Sequence, residues 1–463
     1  MTGINPPAIP FDAPAEVLED GIKIFKELLR IDTTNPPGNE HLVADYAEKL
    51  FAEVGLESLR FEASPGRESI MVNYGPDNDN RAIFSAHVDV VPADPIHWDH
   101  PPFEAVEADG CIWGRGAIDM KNMAAYSMAV IRYFARHKIE LKRGLRVVLF
   151  ADEEAGCCEG SLAIARQQPE WLKGYVAVTE VGGFTTWVDN HRIYPIQVAE
   201  KGFVWLRLHI EGTPGHGSMP SGEGAIDELA AIVQHLSKQP FDFRCTQPVR
   251  DFLEGIAEVL GFPRGKIFRA IGNQRLSDVI LDKLIRDPAR TRVFRALLRD
   301  TVSPTITEGG NKTNVIPSKA TLTLDCRILP GTDPDAFIAG FKSRVPGNYE
   351  IEVIDKGPPV VMDKEHPIMS VFTDLLEEAD PGSRPVPQMI TGFTDARAFD
   401  EVRTPCYGFS PVWLPPEIPF AAMFHGHNER IPVHGFKWGQ ACMLELARRL
   451  CVEGKPVQFV RSE

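Results

Sequence analysis

Short apolar segments alternating with amphipathic helical ones limit most severely what this chain can fold into. SIMVNYG (69–75), RAIFSAHVDV (81–90), RVVLFA (146–151) and YVAVTEV (175–181) have the length and branched-residue content of buried strands. Between the second and third lies NMAAYSMAVIRYFARH (122–137), whose apolar residues recur at helical spacing. Strands separated by helical crossovers predict a mainly parallel α/β sheet with helices on both faces. Upstream, AEVLEDGIKIFKELLR (15–30) reads as a helix and DTTNPPGNE (32–40) as turn chemistry. Asn39 is expected to cap a second helix over HLVADYAEKLFAEVG.

Near Lys201 the texture changes. FVWLRLHIEG alternates like a half-buried strand, and GAIDELAAIVQHL follows as an amphipathic helix. NVIPSKATLTLDCRILPG reads as a hairpin-like pair, DPDAFIAGFKSRV as a helix and YEIEVID as a strand. That β-α-β-β-α-β order is a split βαβ, ferredoxin-like unit, interrupted by a charged, helix-forming insertion over about 240–304. The α/β texture returns at Gly357 with a helix at HPIMSVFTDLLEEA and a last one at GFKWGQACMLELARRL. A chain of 463 residues exceeds the usual single core. The expected domains are 1–200 with 357–463, and 201–356 inserted between them.

Lys+Arg 49 against Asp+Glu 64 gives a net charge of −15, which disfavours nucleic acid and anionic membrane surfaces as partners. The start, MTGINPPAIPFDAP, has neither a basic beginning nor an apolar core and is not expected to be a signal peptide, and no apolar run has bilayer length. Eight cysteines without a CxxC pair read as reduced thiols, so the expected location is cytoplasmic.

Chemistry concentrates at strand ends. In SAHVDVVP, alternation puts His87 and Asp89 on one face, as a metal ligand and its orienter or as a buried His–Asp hydrogen bond. In GRGAIDMKNMAA, Gly114 and Gly116 make a turn that presents Asp119 before a helix, where an aspartate alone is usually a cap. LFADEEAG ends a strand in the adjacent carboxylates Glu153 and Glu154, which would repel each other without a cation nearby. AVTEVGGF places Glu180 before glycines that permit close backbone approach, and FHGHNERIPV clusters His425, His427, Asn428 and Glu429. A histidine pair alone is more often structural, but separate segments all delivering carboxylate or imidazole at strand ends favour a site.

The series H-x-D, G-R-G-x-x-D, D-E-E-x-G, E-x-G-G and H-x-x-N-E resembles the M20 metallopeptidase family, which contains aminoacylase-1, glutamate carboxypeptidase, acetylornithine deacetylase and succinyl-diaminopimelate desuccinylase. The resemblance runs from TTNPPGNE to HGHNERIPV. It implies an amide or peptide hydrolase with two zinc ions, for which cobalt or manganese could substitute. Asp119 would be shared, with His87 and Glu180 completing one metal site and Glu154 and His425 the other. Asp89 would orient His87, and Glu153 would be the general base acting on water. The inserted domain would be a lid and dimerisation domain, giving a homodimer in which His216 of GTPGHGSMP reaches the other protomer's site and supports the oxyanion. Asn314, Arg327, Thr394 and Asp395, with Arg397 beside them, would face a small substrate bearing a free carboxylate, either a dipeptide or an N-acyl amino acid. Trp413 and Phe420 either line an apolar pocket or pack in the core.

Two other readings compete. A biosynthetic deacylase of the desuccinylase type would share the chemistry and differ in substrate. A catalytically silent binding homologue would have lost base or ligands, yet Glu153, the five ligands and His216 are all present. A dinucleotide reading of the G-x-G in GRGAID fails for want of the third glycine.

Overall fold

A computed structural model describes residues 6–285 and 288–455. The chain divides into two compact units, one of Met1–Val198, Met362–Pro387 and Thr394–Glu463, the other of Ala199–Val361 and Gln388–Phe393.

In the first unit the strands lie in the order Ser58–Glu62, Glu68–Tyr74, Leu145–Phe150, Ala82–His87, Val176–Thr179, Cys406–Gly408 and His191–Glu200. Leu145–Phe150, Ala82–His87, Val176–Thr179 and Cys406–Gly408 are mutually parallel, and the strands flanking them are antiparallel. All four parallel strands are buried along their whole length, which explains their continuous apolar character. The helix Lys121–Arg136 is buried almost all round. Phe436, on the last helix Val433–Ala447, stacks on Phe25 of Ala15–Arg30 at 4.7 Å and meets Tyr126 at 4.6 Å. The expected α/β sheet with a parallel centre is therefore present.

Asn39 does not cap the second helix with its side chain. The helix His41–Ala52 starts after Glu40 without a side-chain cap, and Asn39 gives only its carbonyl to the Leu42 amide at 3.0 Å. The turn is spent instead on burying Glu40 against Arg67, 3.0 Å away.

The second unit is built on a four-stranded antiparallel sheet ordered Thr301–Gly309, Lys319–Ile328, Gly202–Glu211, Tyr349–Gly357. With the helices Ala225–Lys238 and Pro334–Arg344 this is the ferredoxin-like order, closed over Leu206, Leu208, Ile232, Leu322, Leu324 and Phe341. The hairpin expected inside 314–331 does not form. Lys319–Ile328 pairs with Thr301–Gly309, and Val315–Ile316 pairs with Gly215–His216. Thr301–Gly309 escaped notice because most of it is exposed, so no apolar alternation marks it. Among the described residues the insertion forms four α-helices between Gln247 and Leu297 with a small core that includes Val249, Leu253, Ile271 and Leu281. All eight cysteines are free, and among the described residues no helix is long and apolar enough to cross a membrane.

Candidate metal centre

Neighbouring parallel strands deliver their chemistry at one edge of the sheet. His87 ends its strand directly opposite Phe150, Glu153 and Glu154 follow Phe150 in a short 3-10 turn, and Glu180 follows Thr179. Asp119 arrives from the turn before Lys121–Arg136, and His425 from the loop after Phe420–Met423. The two oxygens of Asp119 face different imidazoles. Its Oδ1 lies 3.2 Å from His87 Nε2 and its Oδ2 3.3 Å from His425 Nε2. His87 Nε2 is also 3.8 Å from Glu180 and 4.0 Å from Glu153, and His425 Nε2 is 3.0 Å from Glu154.

The backbone around these groups is strained. Asp152, Cys157, Val181, His425 and Asn428 all have φ between 55° and 67°. For the β-branched Val181 such a conformation is a genuine outlier, and strain of this kind gathers where surrounding structure holds a site in place. The glycines after Glu180 serve close approach: a Cβ on Gly182 would stand 1.9 Å from the Gly408 carbonyl oxygen.

Burial and crowding of like charges displace the carboxylates. Burial, then the charge of Glu180, raises Glu153 well above the ordinary range. Burial pushes Glu180 up to about 8, and burial together with the Asp119 charge raises Glu154. Hydrogen bonds donated to Asp119 and Glu154 lift His425 to about 10. Burial opposes a proton on His87, yet Asp119 and Asp89 still raise it. Asp119 is held low by the two imidazoles although burial acts against it. His87, Asp119 and Glu154, and likewise His87, Glu153 and Glu180, offer ligand atoms close enough to share one ion. Two donors on a tetrahedral zinc at about 2.0–2.1 Å stand roughly 3.3 Å apart. The separations of 3.0 to 3.8 Å between the two imidazoles and the carboxylates of Asp119, Glu154 and Glu180 are of that size. The donor set fits a pair of divalent ions.

Asp89 does more than face His87. The nearest acceptor to His87 Nδ1 is the Asp89 carbonyl at 3.0 Å, with the carboxylate at 3.5 Å. That carboxylate accepts from the amides of Glu153 and Glu154, both at 3.1 Å, and from Asn35 Nδ2 at 2.9 Å. His427 stays apart from the Asp119 cluster, its ring 4.9 Å from that of His97. Thr394 and Asp395 are fully buried in the first unit, where burial raises Asp395 to about 6 and its charge bears on Glu153 and Glu180. Arg397 is buried as well. His216, Asn314 and Arg327 belong to the second unit. His216 is exposed with Nδ1 2.8 Å from Ser218 Oγ, and Asn314 is exposed. Arg327 donates to Asp325 at 2.8 and 3.2 Å and lies over Phe393. Trp413 is core, whereas Phe420 is half-buried, its ring tilted against Phe184 and edge-on to Phe424.

Two supporting groups were not singled out from the sequence. Arg67, buried, joins Asp152 at 2.6 Å to Glu40 at 3.0 Å and donates to Asn35 Oδ1. Glu429, quoted above only as part of the histidine cluster, is fully buried and paired with Arg115 at 2.8 Å. Each arginine was visible only as a charge inside a glycine-containing turn (PGRES, GRGAI).

The model of peptidase family M20/M25/M40 matches residues 83–449. The chain is 28% identical over 397 residues to the N-fatty-acyl-amino acid synthase/hydrolase PM20D1 of Xenopus tropicalis, covering 84% of this chain and 76% of that protein. It is 24% identical to aminoacylase-1 of Sus scrofa, covering 89% and 90%. Among solved structures, an M20 family metallo-carboxypeptidase from Sulfolobus solfataricus superposes with a TM-score of 0.69 at 18% identity, covering 94% and 98%.

Proposed function

The chain belongs to peptidase family M20/M25/M40 and is a metal-dependent amidohydrolase, and from that premise we propose that it releases an amino acid bearing a free carboxylate from an N-acyl amino acid or a dipeptide. His87, Glu180 and Asp119 would hold one zinc ion, and Asp119, Glu154 and His425 the other. The observation that carries this assignment is the division of Asp119's two oxygens between His87 and His425. When bound, the ions would polarise the scissile carbonyl and make a water acidic enough to attack near neutral pH.

The chain's own contribution centres on Glu153. Its amide is anchored to Asp89 at 3.1 Å, so the carboxylate projects from a fixed backbone. Its raised proton affinity suits it to take a proton from water and return it to the leaving amine. Asp89 holds the amides of both glutamates and so keeps base and ligand in one frame. The names of the relatives favour an N-acyl amino acid. Within the second unit, which we assign as the lid and dimerisation domain, Arg327 would exchange Asp325 for the substrate carboxylate through its planar fork. His216 would support the oxyanion from the partner protomer, with Asn314 beside it. Full activity in a strictly monomeric protein would overturn that last assignment.

The test is hydrolysis of a panel of N-acyl amino acids and dipeptides before and after chelation, with Glu153→Gln alongside. Activity should disappear with the metal and return on zinc addition. Glu153→Gln should keep its metal and lose about 10²–10⁴-fold in kcat. Near-normal turnover by Glu153→Gln, or no amide cleaved by zinc-loaded protein, would refute the proposal.

A further inference from the structure

We infer that Glu429 is a positioning residue that sets metal affinity by clamping the turn of Asp119 onto the segment of His425. The inference rests on the two-metal reading above. Glu429 is fully buried, and both of its carboxylate oxygens are committed. Oε1 accepts from the amides of Ile118 at 2.7 Å and Asp119 at 3.2 Å. Oε2 accepts from the Gly116 amide at 2.9 Å and from Arg115 Nη1 at 2.8 Å. The Glu429 carbonyl accepts from the Gly114 amide at 3.0 Å, which continues the ladder in which Arg430 pairs with Trp113. Arg115 closes the clamp from the other side, giving Nη2 to the Gly426 carbonyl at 2.8 Å, one residue beyond His425.

The arrangement demands a carboxylate. The turn 115–119 points four N–H donors at one place, and only an ionised acid offers two oxygens with no competing hydrogen. A glutamine there turns an NH2 group towards two of them. One of the four donors is the backbone amide of Asp119 itself, so any loosening reaches the shared carboxylate without an intermediary. Glu429 lies four residues after His425, and so the same side chain sets how closely the Asp119 and His425 donors approach, at present 3.3 Å. Groups that orient metal ligands commonly change affinity 10–100-fold when removed, about the effect expected here.

The experiment titrates zinc against a competing chelator on wild-type, Glu429→Gln and Arg115→Met proteins, with kcat, KM and the melting temperature of the metal-free form. Glu429→Gln should bind zinc roughly 10–100-fold more weakly. Its kcat should fall while KM stays within about twofold, and excess zinc should restore part of the kcat. Arg115→Met keeps the acceptor for the three backbone amides and should lose affinity by a smaller factor; it carries the test if the first variant does not fold. Zinc affinity equal to wild type in both variants, whatever their melting temperatures, would reduce the clamp to a purely structural role and overturn the inference. A wild-type protein that binds no zinc would overturn the two-metal reading and this inference together, whereas normal zinc uptake by wild type and both variants alike would sink only the clamp.

Discussion

Replacing Arg67 by methionine should destabilise the first unit by about 3–5 kcal/mol, because it strips the cation from a buried pair of carboxylates. Arg67 is 5% exposed, and it links Asp152 at 2.6 Å to Glu40 at 3.0 Å while donating to the Pro37 carbonyl at 3.0 Å. Asp152 and Glu40 are themselves 4% and 0% exposed, so water cannot replace the guanidinium. Burial already raises Glu40 to about 7, with Arg67 opposing that rise, so part of the loss will be relieved by protonation. The lower end of the range is therefore the better expectation at neutral pH. For a unit of roughly 290 residues at about 2.1 cal/mol/K of unfolding entropy per residue, 3 kcal/mol corresponds to a fall of about 5 °C in Tm. The sign of the pH dependence follows from the upward shifts of Glu40 and Asp152. Stability held by an acid with a raised folded-state pKa is present at low pH and lost as pH rises through that pKa, so the deficit should grow from pH 5 to pH 8. Scanning calorimetry at those two pH values measures it. Arg67→Met/Asp152→Asn should recover at least about 1 kcal/mol, since the second change removes one unpaired charge. A single variant melting within 1 °C of wild type, or a deficit larger at pH 5, would refute the reasoning.

Two further outcomes follow from the site. Zinc affinity should rise steeply between pH 6 and pH 9, because His425, lifted to about 10, and His87 must each release a proton to become ligands; a chelator-competition titration showing no slope would contradict this. Gly182→Ala should cost about 1–3 kcal/mol and weaken metal binding. Its Cβ would meet the Gly408 carbonyl oxygen at 1.9 Å and push Glu180 off its strand end, so an unchanged melt and unchanged zinc content would count against the close approach.

Most of the candidate donors were legible because they end or follow a strand or a glycine turn that the apolar pattern already places; His425, after the short helix Phe420–Met423, is the exception. His87, Glu153, Glu154 and Glu180 inherit their position from three adjacent buried strands, whose order only the structure supplies, and their grouping as ligands and base rests on the resemblance. The strand Thr301–Gly309 was not legible for the opposite reason: it is held by backbone pairing with Lys319–Ile328 and buries little of its own. Periodicity reports burial, so a strand that buries little sends no periodic message.

The groups that hold the donors were hidden by distance along the chain. Arg67 and Asp152 are separated by 85 positions, Arg115 and Glu429 by 314, and neither member of either pair carries a local pattern that names the other. Asp89 shows that one such group can serve two neighbours. Two residues from His87, it faces that histidine's Nδ1 with its carbonyl at 3.0 Å and its carboxylate at 3.5 Å, and the same carboxylate also accepts from the Glu153 and Glu154 amides 64 and 65 positions away. A buried acid must satisfy its oxygens wherever donors converge, and in a parallel sheet the nearest donors lie at the end of the neighbouring strand rather than on its own. For the same reason the loops after adjacent strands, as well as a residue's own sequence neighbours, supply the groups that orient it.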